Sequence, residues 1–298
     1  VKERVIEYLA LNQMTKGVNN PIICLVGPPG VGKTTFAKSI ASAINRKYTK
    51  ISVGGISDEA DIVGHRRAYI GSSPGKIIEG LKKAGSSNPV FVIDEVDKMT
   101  KDIKGDPASS LLEVLDKDQN KYFCDNYIEE EYDLSKVMFI LTANYIDQIP
   151  IELLDRLEII EISSYTENEK FNICKNYIIP NGVKSHGLED ANIEFTDDAI
   201  SKIIKNYTKE AGVRELERKI HTILRKIVKE IIIDKKESLN IIDESIVIKY
   251  LGNEKYPDSK NNKYKSEIGI VNAMSYTIYG GDILKIEVDF YKGNGNIV

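Results

Sequence analysis

A glycine-rich loop between an apolar strand and a helix constrains this chain more than any other feature. An apolar run over 22–26 precedes the loop, and a helical pattern over 33–44 follows it. Glycines let successive backbone N–H groups point at one anion, and the start of a helix adds the positive end of its dipole. This order of elements predicts a phosphate-binding loop, with an accidental glycine-rich turn as the alternative. The loop and the residue after it are Gly27, Pro28, Pro29, Gly30, Val31, Gly32, Lys33, Thr34 and Thr35.

Two acidic residues follow a second apolar run and complete the expected site. The run over 90–93 predicts a buried parallel strand, and Asp94 and Glu95 stand at its carboxyl end, where open α/β sheets bind ligands. Lys33 can reach the β- and γ-phosphates, while the Thr34 hydroxyl and Asp94 can hold Mg²⁺. Glu95 can orient and polarise the water that attacks the γ-phosphate. The alternative is that the two acids only cap the next helix.

The composition is typical of a soluble globular protein. The 298 residues are enough for two domains, and a net charge of −4 provides no overall attraction to nucleic acid or to an anionic membrane. No apolar run approaches the length of a membrane span, so we expect no membrane partner. Cys24, Cys124 and Cys174 have neither metal-ligand spacing nor a disulfide pattern, which suits a reducing compartment.

The order of the elements predicts the fold class. Alternating strand and helix signals from about 21 to 163 indicate an α/β domain with a parallel sheet and helices on both faces. The predicted strands cover 22–26, 48–53, 90–93, 137–142 and 159–162, and examples of the predicted helices cover 33–44, 75–84 and 108–115.

After about residue 163 the periodicity becomes helical. Thr166 and Glu169 predict a capping box, Thr196 begins another helix, and a long amphipathic helix follows from Arg214 to 233. A fourth helix is expected over 243–251. Beyond a linker at 253–263, two strands at 268–275 and 283–291 flank a turn at Gly280-Gly281. We expect three segments: a large α/β domain at 1–163, an all-α lid at 164–252, and the start of a truncated third domain at 253–298.

Three further polar residues have the right character for phosphoryl transfer. Asn144 ends the fourth predicted strand, between the glycine loop and the acidic strand, where an amide can position the attacking water. Arg156 stands at a helix end, and Arg214 opens the long helix. Such groups around one ATP stabilise the charge of the transferring phosphoryl group. The alternative for each arginine is an ordinary surface salt bridge.

Six stretches of the chain identify a family resemblance. They are GPPGVGKT (27–34), GHRRAYIGSSPGKII (64–78), VIDEVDKM (92–99), GDPASSLLEVLD (105–116), LLDRLE (153–158) and EAGVRELER (210–218). The stretches at 64–78 and 105–116 are much more specific than general AAA+ motifs. The chain resembles the ATPase module of the Lon family of ATP-dependent proteases, within the AAA+ superfamily, and the similarity covers nearly its whole length.

The resemblance implies ATP or ADP and Mg²⁺ as ligands. Lys33 and Thr34 match the Walker A residues, and Asp94 and Glu95 match Walker B, with Glu95 as the hydrolytic residue. The resemblance also implies a lid that carries a nucleotide sensor, and a ring in which a neighbouring subunit completes each ATP site. Three residues match roles of this kind. Asn144 matches sensor 1, Arg214 matches sensor 2, and Arg156 matches the arginine finger, which acts on the ATP of a neighbouring subunit in a hexameric ring.

A loop with an exposed aromatic residue matches the substrate-gripping element of the family. Tyr69 and Ile70 match the first pore loop, and the segment from Met99 to Gly105 would be the second. An aromatic followed by an aliphatic side chain can hold any extended polypeptide by apolar contact, so unfolded or damaged proteins are the implied substrates. The alternative for Tyr69 is a core aromatic, but the surrounding glycines and Pro74 favour an exposed loop.

The resemblance also limits what this chain is expected to do. The Ser–Lys peptidase dyad of the family lies beyond its last residue, so we expect ATPase activity without peptidase activity. Tyr8, near the start, can pack beside the adenine. The closeness of 105–116 to bacterial members favours a bacterial cytoplasm over the mitochondrial matrix.

Two other functions stay open at this stage. A nucleic-acid AAA+ motor or loader is disfavoured by the acidic balance, although the basic helix from Arg214 leaves weak, sequence-independent DNA association open. The other alternative is a fragment that binds nucleotide but cannot assemble and so barely hydrolyses it.

Overall fold

The computed structural model describes residues 2–14, 22–100, 105–233, 241–256, 268–277 and 280–289. The chain divides into two compact units, Val1–Ser163 and Ser164–Val298. The first unit combines a parallel sheet with helices. The described residues of the second unit are mainly helical and include two small two-stranded sheets. The predicted three-segment division of the chain stays a prediction.

A five-stranded parallel sheet forms the centre of the first unit. Its strands are β1 (Ile22–Val26), β2 (Tyr48–Ser52), β3 (Val90–Asp94), β6 (Met138–Ala143) and β7 (Leu157–Glu161), in the spatial order β2-β3-β6-β1-β7. In the shared register Ile93 lies beside Leu141, and Leu141 lies beside Cys24. The carboxyl ends of β3, β6 and β1 therefore lie side by side. Two short strands, β4 (Phe123–Cys124) and β5 (Glu131–Tyr132), form a separate antiparallel pair.

Helices of the first unit precede or connect these strands. They are α1 (Lys2–Met14), α2 (Lys33–Ala43), α3 (Ala60–Val63), α4 (Lys76–Ala84), α5 (Pro107–Leu115) and α6 (Ile151–Leu154). Alternate strand residues point to opposite faces of the sheet, which creates two apolar cores. Ile23 and Leu25 of β1 pack with α1 and α2, whereas Cys24 packs in the cluster that contains α4 and α5. The predicted α/β class, with helices on both faces, is confirmed.

The second unit contains a helical core. Its helices are α7 (Glu167–Ile173), α8 (Ile179–Ser185), α9 (Asp197–Lys202), α10 (Arg214–Ile232) and α11 (Glu244–Leu251), with π-helical turns at Cys174–Ile178 and Ile203–Tyr207. The predicted capping box is present: Thr166 Oγ1 accepts from the Glu169 N–H, and the Glu169 carboxylate accepts from the Thr166 N–H. Thr196 caps α9 as predicted. The strands β8 (Glu194–Phe195) and β9 (Ile241–Ile242) form a short parallel pair that the sequence did not indicate.

The last described element is an antiparallel pair of strands, β10 (Ile270–Thr277) and β11 (Gly280–Glu287). The hairpin was predicted, but the turn was placed wrongly. Gly280 and Gly281 lie inside β11, where they pair with Thr277 and Tyr276. The antiparallel pairing of the two strands therefore continues through both glycines.

Some predictions fall outside the described residues. In the predicted second pore loop, residues 101–104 are not among the described residues, and in the predicted linker the same is true of 257–263. The last nine residues also lie outside the described ranges. Within the described ranges, no helix is long and apolar enough to cross a membrane.

The helical core of the second unit provides a test of its packing. Ile223 of α10 is fully buried, whereas Ile232 of the same helix is 69% exposed. We expect Ile223→Ala to lower the free energy of unfolding by about 2–5 kcal/mol, because it leaves a cavity. Ile232→Ala should change it by less than about 1 kcal/mol. Urea unfolding followed by circular dichroism measures both, and equal losses would contradict the assigned face of α10.

The cysteines provide a second test. Burial raises the pKa of Cys24 and Cys174 to about 12, while Cys124 is exposed. Since thiolate is the reactive form, only about one in ten thousand molecules carries it at either buried position at pH 8. We expect one fast thiol with 5,5′-dithiobis(2-nitrobenzoic acid) in the native protein and three after unfolding in urea. Cys124→Ser should remove the fast reaction, and a fast phase that persists in this variant would show that a buried cysteine is accessible.

Candidate functional site

The glycine loop joins β1 to α2 at the carboxyl edge of the sheet. Gly30 and Gly32 have φ angles of 83° and 84°, in the left-handed region that glycine adopts without strain. Gly32 is also the N-cap of α2, and no side chain caps this helix end. The positive end of the dipole of this eleven-residue helix therefore lies at the loop, as an anion site requires.

Lys33 links the loop to the neighbouring strand. Its Nζ donates to the carbonyl oxygens of Gly27 and Pro28, the latter at 3.1 Å, and to Asn144 Oδ1 at 2.8 Å. Because β6 lies between β1 and β3, Asn144 stands between the loop and the acidic pair. The loop lysine and the strand amide, which are far apart in sequence, are therefore direct partners.

Asp94 is held as a carboxylate by two neighbouring strands. Its oxygens accept hydrogen bonds from the Thr142 hydroxyl on β6 and from Lys50 Nζ on β2. Burial by itself disfavours the charged form, but these two bonds and the charges of Lys50 and Lys33 outweigh it. The pKa of Asp94 therefore lies below its ordinary value. An ionised oxygen ligand at this edge is what Mg²⁺ prefers.

Glu95 adopts an unusual backbone conformation directly after β3. Its φ angle is 64°, which is rare for a residue with a side chain and is typical of functional sites when the surroundings impose it. The carboxylate forms an ion pair with Lys98 and lies 3.5 Å from Ser52 Oγ. The two neighbouring carboxylates therefore have different partners, Lys50 and Thr142 for Asp94 and Lys98 and Ser52 for Glu95.

Asp97 is a site residue that the sequence analysis missed. It is buried, and its Oδ2 accepts from the backbone N–H of Asn144 at 2.9 Å. Among the residues that the structure describes, its Oδ1 has no hydrogen-bond partner. Asp97 thus fixes the backbone that presents the Asn144 amide. The available signal was its position three residues after Asp94, in the short 3₁₀ turn Val96–Lys98.

Arg156 lies at the amino ends of the sheet strands, on the side opposite to the glycine loop. It comes just before β7, which is parallel to β1, while the glycine loop follows β1. The chain from Arg156 to Ile162, beside the start of the loop, spans roughly 20 Å as a strand. The guanidinium forms an ion pair with Asp116, at the end of α5, and this bond lowers the pKa of Asp116. Arg156 is therefore remote from the loop of its own chain.

The remaining predicted residues lie in different surroundings. Arg214 is the exposed first residue of α10, in the second unit. Tyr8 is buried in the core between α1, α2 and the sheet, which favours a core aromatic, and its contact with adenine stays a prediction. Tyr69 is 68% exposed and Ile70 is fully exposed, on the loop between α3 and α4.

The residues at the carboxyl edge fit a phosphate group with Mg²⁺. The uncapped start of α2 and Lys33 provide positive potential, and Asp94 and the Thr34 hydroxyl are oxygen ligands of the preferred type. In the part of the chain that the structure describes, no cluster of three His, Cys, Asp or Glu residues could hold a metal by itself.

Three family models match successive parts of the chain. Residues 23–165 match the ATPase family associated with various cellular activities, AAA. Residues 184–239 match the Lon protease AAA+ ATPase lid domain, and residues 240–298 match the Lon protease (S16) C-terminal proteolytic domain.

Curated relatives and solved structures agree with these models. The chain is 52% identical to the Lon protease of Dictyoglomus thermophilum over 298 residues, which cover 100% of this chain and 38% of that protein. It is 55% identical to the Lon protease of Ureaplasma parvum over 299 residues, which cover 99% of this chain and 37% of that protein.

The chain thus spans less than two fifths of the length of these relatives. The Thermotoga maritima RuvB Holliday junction branch migration motor superposes with a TM-score of 0.53 at 19% identity, over 84% of this chain and 67% of that one, which is evidence for the fold alone. The chain belongs to the Lon family of AAA+ proteases and carries its ATPase module.

Proposed function

We propose that this chain binds and hydrolyses ATP in a ring of identical subunits and uses the energy to unfold and thread protein substrates. The observation that carries the proposal is the division of polar groups between the two edges of one sheet. Lys33, Asn144, Asp94 and Glu95 meet at the carboxyl edge, and Arg156 lies at the opposite edge. One chain therefore holds most of a phosphoryl-transfer site and presents a charge for another.

The phosphates of ATP or ADP would lie in the loop at 27–35. Its N–H groups, the start of α2 and Lys33 would bind the phosphate oxygens. Thr34 and Asp94 would hold Mg²⁺, which when bound neutralises charge on the phosphates. Lys33 would exchange its bonds to backbone carbonyls for bonds to phosphate, so the residue that binds nucleotide is already in place.

Hydrolysis requires a polarised water beside the γ-phosphate. Glu95 would orient this water and accept its proton, and Asn144, fixed by Asp97, would help to position it. In the structure the Glu95 carboxylate forms an ion pair with Lys98, next to the candidate site. Arg214 of the second unit would act as the sensor of the γ-phosphate, as the resemblance implies.

The position of Arg156 would make ATP hydrolysis depend on the assembly of subunits. Since it is remote from its own loop, we propose that it acts on ATP bound to the next subunit of a hexameric ring, where a cation stabilises the transition-state charge. A head-to-tail interface that repeats around a ring gives every site one such arginine.

Tyr69 and Ile70 would grip the substrate. Their exposure on a loop leaves an aromatic and an aliphatic side chain available for any extended polypeptide. In the whole protein, threading would feed a serine peptidase in the quality control of unfolded or damaged proteins in the bacterial cytoplasm. We propose domains at 1–163, 164–252 and 253–298, with the peptidase dyad outside this chain.

A mixing experiment tests the proposed action of Arg156 between subunits. Glu95→Gln and Arg156→Ala should each abolish ATPase activity when they are assayed alone. Mixed in equal amounts, they should recover roughly a quarter of the wild-type rate, because one interface in four pairs an intact Glu95 with an intact Arg156. The wild-type rate should rise with protein concentration over the range in which rings form.

A double variant provides the control for this mixture. Arg156→Ala mixed with Glu95→Gln/Arg156→Ala contains no intact arginine and should stay inactive. Equal rates in both mixtures, or a wild-type rate that is independent of concentration, would reject the trans arginine. Nucleotide binding without turnover at any concentration would favour the non-assembling fragment.

The grip of Tyr69 is measurable as binding. In the non-hydrolysing Glu95→Gln background with ATP, Tyr69→Ala should weaken the binding of fluorescein-labelled casein roughly tenfold, because it removes the aromatic contact. Fluorescence anisotropy measures this change. Tyr177, 65% exposed in the second unit, provides a matched control as Tyr177→Ala. Equal affinities of the two variants would place the substrate contact elsewhere, and competition by DNA would favour the nucleic-acid alternative.

A further inference from the structure

The two ends of the exposed loop that carries Tyr69 and Ile70 lie against each other. We call these ends, at Gly64 and Gly75, the neck of the loop. The loop runs from Gly64 to Gly75, and the His65 N–H donates to the Ser73 carbonyl across it at 3.0 Å. A Cβ atom on Gly75 would lie 2.6 Å from the Gly64 nitrogen, so the two ends of the loop are in direct contact. The shape of the loop is therefore set where it leaves the body of the first unit.

A buried aspartate binds both the neck of the loop and a nearby turn. Asp125, which is 1% exposed, accepts from the Gly75 N–H at 2.7 Å through Oδ2. Its Oδ1 accepts from the N–H groups of Tyr127 and Ile128 at 2.8 and 3.0 Å. A Cβ atom on Gly64 would lie 2.6 Å from the same carboxylate. One side chain thus joins the neck to the turn at 125–128.

The next residue of this turn holds the other side of the neck. The Asn126 N–H donates to the Val63 carbonyl at 2.7 Å, and Asn126 Nδ2 donates to the Gly64 carbonyl at 3.2 Å. The turn at 125–128 therefore contacts both ends of the loop, at Val63 and Gly64 on one side and at Gly75 on the other.

Arg67 fastens the loop itself to the same turn. Its Nε donates to the Tyr127 carbonyl, and its Nη2 donates to the Ile128 carbonyl at 3.1 Å. The guanidinium also lies 5.3 Å from the centre of the Tyr127 ring, within the range of a cation–π contact. Arg67 is only two residues from Tyr69, so this attachment restricts the backbone that presents the exposed pair.

We infer that the turn at 125–128, through Asp125 and Arg67, is a brace that positions Tyr69 and Ile70 for binding substrate polypeptide. The inference rests on the proposed grip by these two residues. An exposed aromatic on a free loop loses conformational entropy when it binds, whereas a loop already held by its neck and flank loses less. Arg67 and Asp125 are positioning residues, and the contact with substrate is made by Tyr69 and Ile70.

Two neighbouring arginines provide a matched test. Arg67→Gln removes the bonds to both carbonyls, and Arg66→Gln removes the same charge from the same loop without touching the brace. In the Glu95→Gln chain with ATP, we expect Arg67→Gln to weaken fluorescein-casein binding roughly 3- to 10-fold and Arg66→Gln to change it less than about twofold. Chymotrypsin cleavage after Tyr69, followed by mass spectrometry, should become faster only in Arg67→Gln, and the midpoint of thermal unfolding should stay unchanged.

The two readouts separate the brace from the grip. Unchanged cleavage in Arg67→Gln would overturn the brace, and faster cleavage with unchanged casein affinity would overturn its positioning role. Equal loss of affinity in both arginine variants would show that charge, and not loop order, decides binding. If Tyr69→Ala itself binds casein normally, the proposed grip fails, and the cleavage rates still decide whether Arg67 orders the loop. Asp125→Asn, if it folds, should behave as Arg67→Gln does.

Discussion

The parallel register of β3, β6 and β1 is the constraint on which the candidate site depends. Ile93, Leu141 and Cys24 lie in one row, so the residues that follow each strand emerge at the same edge. A slip of one residue would turn every side chain of the slipped strand to the opposite face. The two apolar cores that enclose the sheet resist such a slip, so packing within the fold holds the polar groups at the edge.

Charges at this edge are compensated before any ligand binds. Asp94 is held by Lys50 and Thr142, Glu95 by Lys98, and the Lys33 ammonium by backbone carbonyls and Asn144. Partly buried charges need such partners, because desolvation without them is costly. In the proposed function, a phosphate group that binds the loop would replace existing hydrogen bonds of Lys33.

The same sheet separates the groups that would act on different molecules. The carboxyl ends of its strands carry the proposed nucleotide-binding residues, and the amino ends carry Arg156 with Asp116. The loop with Tyr69 and Ile70 projects between α3 and α4, fixed at its neck by a turn that precedes β5. In the proposed function, this distribution makes neighbouring subunits necessary, because Arg156 would act on the ATP of the next subunit.

The sequence by itself determined the α/β class, the five strands of the parallel sheet within two residues at each end, the capping box at Thr166, and the glycine loop with its acidic pair. These features are local: apolar periodicity, glycine positions and cap residues act within one element or its immediate neighbours. Only the tertiary structure decided the partners Asp97, Thr142 and Lys50, the ion pair of Arg156, and the brace at 125–128. These contacts join residues that are distant in sequence, so no local pattern encodes them. The misplaced turn at Gly280-Gly281 has the same cause, because pairing with β10 decided where β11 begins.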